Sequence, residues 1–214
     1  MSESDVKPMD ADLGLVKQAQ GGDFSAFEAL VGRYEQQVYR IARRIVREAH
    51  DAEEAVQDTF LSVLEHLRDF RGEASFRSWL LRIATNAALR ILRKRRGHVS
   101  LDAVTESDES TPHPEFIAPW QEDPGDLASR HEVRQLLDEA LQTLDEKYRV
   151  VFVLRDMEAL SIEETAEALQ ISPANVKIRL MRARLMLRER LTRALGDPQR
   201  AAPPHPAHHH DDDA

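Results

Sequence analysis

The sequence predicts an all-α protein of two small helical domains joined by a flexible acidic linker, and three observations carry that expectation. Apolar residues recur at three- and four-residue steps along most of the 214 residues. Glycine occurs only eight times. The periodicity fails once in mid-chain, from Gly97 to about Gly125, where Pro112, Pro114, Pro119 and Pro124 sit among acids, Ser and Thr. The expected divisions are a disordered N-terminus over 1–11, a first helical domain over 12–96, the linker over 97–126, a second helical domain over 127–195, and a disordered His/Asp-rich tail over 196–214.

Ser25-Ala26-Phe27-Glu28 has the pattern of a capping box, in which hydroxyl and carboxylate reciprocally satisfy free N–H groups at a helix start. Phe27, Leu30, Val31, Tyr34, Val38, Ile41, Ala42 and Ile45 then form one stripe of a long helix. A second helix is expected to open at Asp51-Ala52-Glu53-Glu54, with Ala55, Val56, Phe60, Val63, Leu64 and Leu67 turned inward. After a loop at 68–74, Ser75 should cap a third long helix burying Phe76, Trp79, Leu80, Ile83, Ala84, Ala87, Ala88 and Ile91. That helix ends in Arg93-Lys94-Arg95-Arg96.

The second block begins with a helix through Val133, Leu136, Leu137, Ala140 and Leu141, followed by Asp145 as a cap and the run Tyr148, Val151, Phe152, Leu154. Ser161-Ile162-Glu163-Glu164 is a further capping box opening a short helix to Leu169. Gln170-Ile171 makes a turn, and Ser172 caps the next helix with Pro173 at its first position, where proline loses no helical hydrogen bond. This is a helix-turn-helix pattern, whose second helix can enter a major groove. Ser172, Asn175, Lys177, Ile178, Arg179, Met181, Arg182 and Arg184 are its candidate DNA contacts; a basic face on a purely structural helix is the other reading.

Net charge of −9 argues against a nucleic-acid ligand until its distribution is seen. Basic residues crowd 68–96 and 177–193, whereas 101–132 holds nine acids against Arg130 alone. Local charge, rather than the total, sets the field a ligand meets. Phe70, Phe76 and Trp79 beside these cations could stack on unpaired bases, or could simply fill the core.

Several classes are disfavoured. The chain holds no Cys, hence no disulfide framework, thiolate metal site or Cys nucleophile. Residues 1–12 resemble neither a secretory signal nor a transit peptide, and no apolar run approaches the roughly 20 residues of a membrane span, so a cytoplasmic location is expected. No phosphate-cradling Gly loop, HExxH or nucleophile elbow occurs, so neither an enzyme nor a cofactor is expected. His205, His208, His209, His210 and Asp211 to Asp213 form either a metal-chelating or a merely disordered tail. Phe116, Ile117 and Trp120 are either a local apolar staple or a docking anchor for a partner. His50, beside Glu48 and Asp51, reads as a polar group on the surface rather than a catalytic one.

Asp69-Phe70-Arg71-Gly72, then Phe76-Arg77-Ser78-Trp79-Leu80-Leu81-Arg82-Ile83-Ala84-Thr85-Asn86, resembles the promoter-melting segment of extracytoplasmic-function (ECF) sigma factors of the sigma-70 family. Residues 160–184 are similar to that family's domain 4, and both segments stand in the family's order. The resemblance implies an alternative sigma factor, a noncatalytic specificity subunit of RNA polymerase. It implies docking on the beta-prime clamp helices through the helix at 51–67, with Glu54, Gln57 and Asp58 as candidates, and contact with the beta flap. It implies minus-ten recognition and melting by Phe70, Arg71, Ser75, Phe76, Arg82, Asn86, Arg90 and Arg93, and minus-thirty-five reading by the helix-turn-helix. The linker would lie in the polymerase channels, and an anti-sigma factor would be a further partner.

Gln170 departs from the family by standing where a turn glycine is common, so it needs the left-handed backbone that glycine adopts more easily. Two other readings stay open at this point. One is a stand-alone helix-turn-helix regulator whose first half senses a ligand or dimerises; the other is a module that binds acidic proteins.

Overall fold

The long helix expected after the first capping pattern runs over Phe24–Val46 (α2), and its stripe packs as the periodicity requires: Leu30, Tyr34, Val38, Ile41 and Ile45 are buried. In this computed structural model, which describes residues 8–96 and 127–195, every described element is helical. The expected linker and tail, with Phe116, Ile117, Trp120 and the His/Asp cluster, lie outside the described residues.

Ahead of α2 stands a helix that the sequence reading did not anticipate, Pro8–Gln20 (α1), starting inside the stretch expected to be disordered. It is tied down by Asp12, which is buried. The Tyr34 hydroxyl donates to one Asp12 oxygen at 2.5 Å, and Arg33 pairs with the other. Burial, then the adjacent carboxylate, pushes the Tyr34 phenol far above its ordinary range, so it remains a donor. The cap of α2 is Asp23, whose carboxylate accepts from the N–H groups of Ser25 and Ala26; Ser25 itself lies inside the first turn.

The second helix, Ala49–His66 (α3), starts at Glu48 without a side-chain cap. Asp51, expected in a capping box, is instead buried and accepts from Arg95 at 2.6 Å, joining the start of α3 to the end of Phe76–Arg96 (α4). Ala52, Ala55, Thr59 and Val63 form the buried stripe of α3. Leu64, assigned inward from the sequence, lies off that stripe and is 51% exposed. A 3-10 turn over Leu67–Asp69 leads into the loop before α4. Ser75 caps α4 as expected, accepting from the Ser78 N–H at 3.0 Å.

The second domain comprises Leu127–Thr143 (α5), Glu146–Phe152 (α6) running into a π-helical turn over Val153–Met157, Ile162–Leu169 (α7), and Pro173–Leu195 (α8). Asp145 is the N-cap of α6, but through its carbonyl, which accepts from Tyr148 and Arg149, rather than its carboxylate. The Ser161 capping box forms with both arms in place: the Glu164 N–H meets the hydroxyl at 3.0 Å and the Ser161 N–H meets the carboxylate at 2.7 Å. Gln170 takes the left-handed conformation at φ 54° that a turn glycine would adopt.

Each domain has its own apolar cluster, and a further cluster joins them: Ile41, Ile45, Leu81 and Ala88 of the first domain pack with Val150, Val153, Leu154 and Ala168 of the second. Arg149, fully buried, donates across this seam to the Ile45 carbonyl at 2.9 Å and within its own domain to the Leu144 carbonyl at 2.8 Å.

Partial burial opposes ionisation of Glu164, but hydrogen bonds from Ser78 and from both Ser161 donors, with Arg77 nearby, outweigh it and hold the carboxyl below its ordinary 4.5. A depressed folded pKa stabilises above the unfolded value, and the stabilisation is lost as pH falls through the lowered folded value. Ser161→Ala should therefore destabilise the second domain by about 0.5–2 kcal/mol in denaturant titrations at neutral pH. As pH falls through the lowered pKa of Glu164 and its carboxyl protonates, the difference from the parent should shrink.

Candidate nucleic-acid interface

The loop between the 3-10 turn and α4 is held at both ends. The Phe70 N–H donates to the Leu67 carbonyl at 3.2 Å, and the Gln20 amide of α1 donates to the carbonyls of Leu67 and Phe70, each at 2.9 Å. Gly72 carries φ +74°, a conformation that a side chain would strain. Gln20 escaped the sequence reading because its partners lie 47 and 50 residues away.

Three rings meet beneath this loop. Phe70 stands 5.0 Å from Trp79 and edge-on to Phe76 at 5.9 Å, within the range of favourable aromatic pairs. Phe76 is only 3% exposed, so its ring belongs to the core and braces the other two. Phe70 and Trp79 are half-buried and, with Arg71, Gly72, Ser78 and Arg82, line a cavity of about 400 Å³. Asp69, Glu73, Glu164 and Glu167 line it as well, so the rim carries both signs of charge, and the aromatic floor gives it the chemistry to take one unstacked base. The Ser75 hydroxyl faces Ser78, to whose Oγ it donates at 2.8 Å.

From this cavity a polar face continues along α4. Arg82, Asn86, Arg90 and Arg93 recur at three- and four-residue steps, and the last three are exposed. Arg90 donates to Asp58 of α3 at 2.7 Å, so Asp58, a candidate polymerase contact, also restrains this face.

On α8, Val176, Leu180, Ala183 and Leu187 anchor the helix in the second core. The opposite side presents Asn175, Lys177, Ile178 and Met181, with Ile178 46% and Met181 49% exposed. Two large apolar groups held in water beside a lysine suit contact with thymine methyls and phosphate. Ser172 Oγ accepts from the Asn175 N–H at 3.2 Å, which makes it a cap. Arg182 donates to the Tyr148 hydroxyl at 3.3 Å, and Arg184 makes two bonds to Asp156, at 2.8 and 2.7 Å. Arg179 faces a cavity of about 800 Å³ between the domains, where burial lowers its pKa.

On the far side of the first domain Gln57 is exposed in a groove with Tyr39, Arg40 and Glu53, and Glu54 is half-buried. Three exposed side chains were missed as surface features by the sequence reading: Leu61 and Leu64, further along α3 and exposed by 59% and 51%, and Phe24, which shares a cavity with Leu64 and is 62% exposed. Among the described residues no cluster of His, Asp or Glu could hold a metal ion, and none of their helices is long and apolar enough to cross a membrane.

Two family models match the chain: Sigma-70 region 2 over residues 30–98 and Sigma-70, region 4 over residues 134–187. The chain is 32% identical over 177 residues to the ECF RNA polymerase sigma factor SigW of Bacillus subtilis, covering 82% of this chain and 94% of that protein. It is 33% identical over 177 residues to the ECF RNA polymerase sigma-E factor of Escherichia coli, covering 81% and 90%. Among solved structures it resembles CnrH in complex with the cytosolic domain of CnrY, at TM-score 0.59 and 28% identity over 86% of this chain and 98% of that one. It also resembles the sigma factor RpoE in complex with the anti-sigma factor NepR from Bartonella quintana, at TM-score 0.56 and 25% identity over 78% and 96%.

Proposed function

The chain belongs to the extracytoplasmic-function sigma factors of the sigma-70 family, and from that membership we propose how its two reading surfaces divide promoter recognition. It is an alternative sigma factor that directs promoter-specific transcription initiation, with core RNA polymerase and promoter DNA as its partners. In the proposed division, units 12–96 and 127–195 read the minus-ten and minus-thirty-five elements, and neither catalyses a reaction. The linker 97–126 joins them within the polymerase.

The observation that carries this reading is the α4 face itself: Arg82, Asn86, Arg90 and Arg93 lead along the helix into the cavity of Phe70 and Trp79. A single strand tracking the cations delivers one flipped base to the aromatics, where Arg71 and the Ser75 to Ser78 turn close over it. Stacking there offsets part of the free energy of unpairing. Phe76 acts from the core by fixing Phe70 and Trp79. Asn175, Lys177, Ile178 and Met181 enter the major groove, while Arg179, Arg182 and Arg184 leave their intramolecular positions to take phosphates, and Ser172 holds the helix start.

Docking on the beta-prime clamp helices uses Gln57 and Glu54 together with the exposed Leu61 and Leu64, whose burial supplies the apolar part of the contact. Asp58 contributes by aiming Arg90. The solved neighbours in complex with CnrY and with NepR support an anti-sigma factor as a further partner of this chain.

Run-off transcription with core polymerase over genomic DNA tests the reading. Discrete start sites should appear only when the chain is added. A chain that bound duplex promoter tightly alone and conferred no start-site specificity on core polymerase would be a stand-alone regulator instead.

A further inference from the structure

The last residue of α1 is bound to the loop on which base capture depends. Gln20 is half-buried and extends a single nitrogen, Nε2, to two backbone carbonyls, those of Leu67 and Phe70, at 2.9 Å each. Carbonyls only accept, so both hydrogens of the amide are committed to them. The Leu67 carbonyl also takes the Phe70 N–H at 3.2 Å, whereas Phe70 itself lies in extended backbone just past the 3-10 turn, with φ −68° and ψ 113°. Residues 71–74, which follow, are exposed. A short exposed loop without regular hydrogen bonding is mobile by default. Of the three rings at the cavity, Phe76 and Trp79 stand on α4 and Phe70 stands on this loop. The Gln20 amide thus fixes the peptide that aims the one ring no helix holds.

Gln20 serves as a fixed point because its own helix is anchored. Val16 of α1 is 2% exposed and packs in the same cluster as Leu67 and Phe76. Nearer the start of α1, Asp12 takes the Tyr34 hydroxyl, and the Tyr34 ring stands 5.7 Å from Phe76. Beyond Gln20 the N–H groups of Gly21 and Gly22 bond back to the Lys17 and Ala19 carbonyls at 3.1 and 3.0 Å, closing the last turn.

We propose that Gln20 is a positioning residue for base capture: its amide holds the Phe70 backbone so that the ring stands against Trp79 before any base arrives. The proposal rests on the minus-ten reading above and adds to it the group that sets the shape of the cavity. Such pre-organisation appears in the binding of the base rather than in stability. When the amide is lost, the Leu67 carbonyl keeps the Phe70 N–H and the Phe70 carbonyl turns to water. The chemical requirement is specific. Glutamate matches the shape of glutamine but, ionised, offers no hydrogen; methionine matches its length and offers none; lysine offers three on one nitrogen and suits a helix C-terminus.

The test titrates core polymerase, saturated with the chain, with a short single strand carrying the non-template minus-ten segment of a promoter mapped by run-off. The strand is intact or lacks one base, at each position in turn. The parent should lose affinity sharply at one position, that of the captured base. Gln20→Met should bind the intact strand about tenfold more weakly, on the scale of two modest hydrogen bonds. On the strand lacking the captured base, Gln20→Met and the parent should bind alike, since no base remains for a misplaced ring to lose. Gln20→Glu should show at least the Gln20→Met defect, and Gln20→Lys should recover most of it. A gain from the added charge alone would appear equally on the strand lacking the base. Denaturant midpoints of all three variants should stay near the parent's. A Gln20→Met defect of equal size with the base present or absent would make the residue merely structural, and no defect on the intact strand would make the amide idle; either result overturns the proposal. A parent with no position-dependent loss would overturn the base-capture reading itself, and the proposal with it.

Discussion

Phe70→Ala is expected to reduce open-complex formation on duplex promoter DNA by roughly ten- to hundredfold, the worth of one base stacked on an aromatic ring at about 1–3 kcal/mol. Permanganate reactivity of unpaired thymines measures it directly. The same variant on a template with a pre-melted minus-ten segment should recover much of the loss, because the unpairing step has been removed. Affinity for core polymerase should not change, since Phe70 and Gln57 line different cavities. The expected pattern separates Phe70 from Phe76. Phe76→Ala empties a core site and should destabilise the first domain by about 3–5 kcal/mol, a defect that a pre-melted template does not rescue. Equal loss on duplex and pre-melted templates by Phe70→Ala, with the fold intact, would remove the ring from the melting step.

The contrast between those two rings shows where sequence reading stops. Periodicity placed both Phe76 and Trp79 on the inward stripe of α4, and packing and base stacking demand the same residue types; only burial tells them apart. Most of what depends on local hydrogen bonds was legible: the Ser161 capping box, the Ser75 and Ser172 caps, and the left-handed Gln170 all follow from neighbours within four residues, whereas at α2 Asp23 takes the cap that the Ser25 pattern suggested. What depends on distant partners was not. Asp12 gives no outward sign that Arg33 and Tyr34 will bury it, so α1 was not anticipated and its start fell in the stretch read as disordered. Asp51 matches a capping pattern but is claimed by Arg95 from another helix. Leu64 fits an apolar stripe by spacing, yet α3 uses small residues at 52, 55 and 59 to approach α2 and α4 closely, leaving Leu64 outside. On α4 the expected stripe covers one side, whereas Leu81, Thr85, Leu89 and Leu92 are buried as well. A helix buried on two sides lies between two partners, and the second partner here is the other domain.

That shared burial makes Arg149 the residue whose loss should disturb the whole assembly most. Its guanidinium is fully buried and satisfies a carbonyl at the end of each domain's helix, Ile45 in α2 and Leu144 after α5. Arg149→Ala removes both donors and leaves space in the seam, so a loss of about 2–5 kcal/mol is expected. The form of the unfolding curve carries more information than its midpoint. With the seam intact, probes in the two domains should report one coincident transition; without it, the second domain should unfold at lower denaturant than the first. Arg149→Met tests whether volume or hydrogen bonding matters more. It fills much of the space but leaves both carbonyls without this donor, so it should restore part of the midpoint while the two transitions stay separate. A single coincident transition in Arg149→Ala would show that the apolar cluster around Val150, Val153 and Leu154 couples the domains without the arginine.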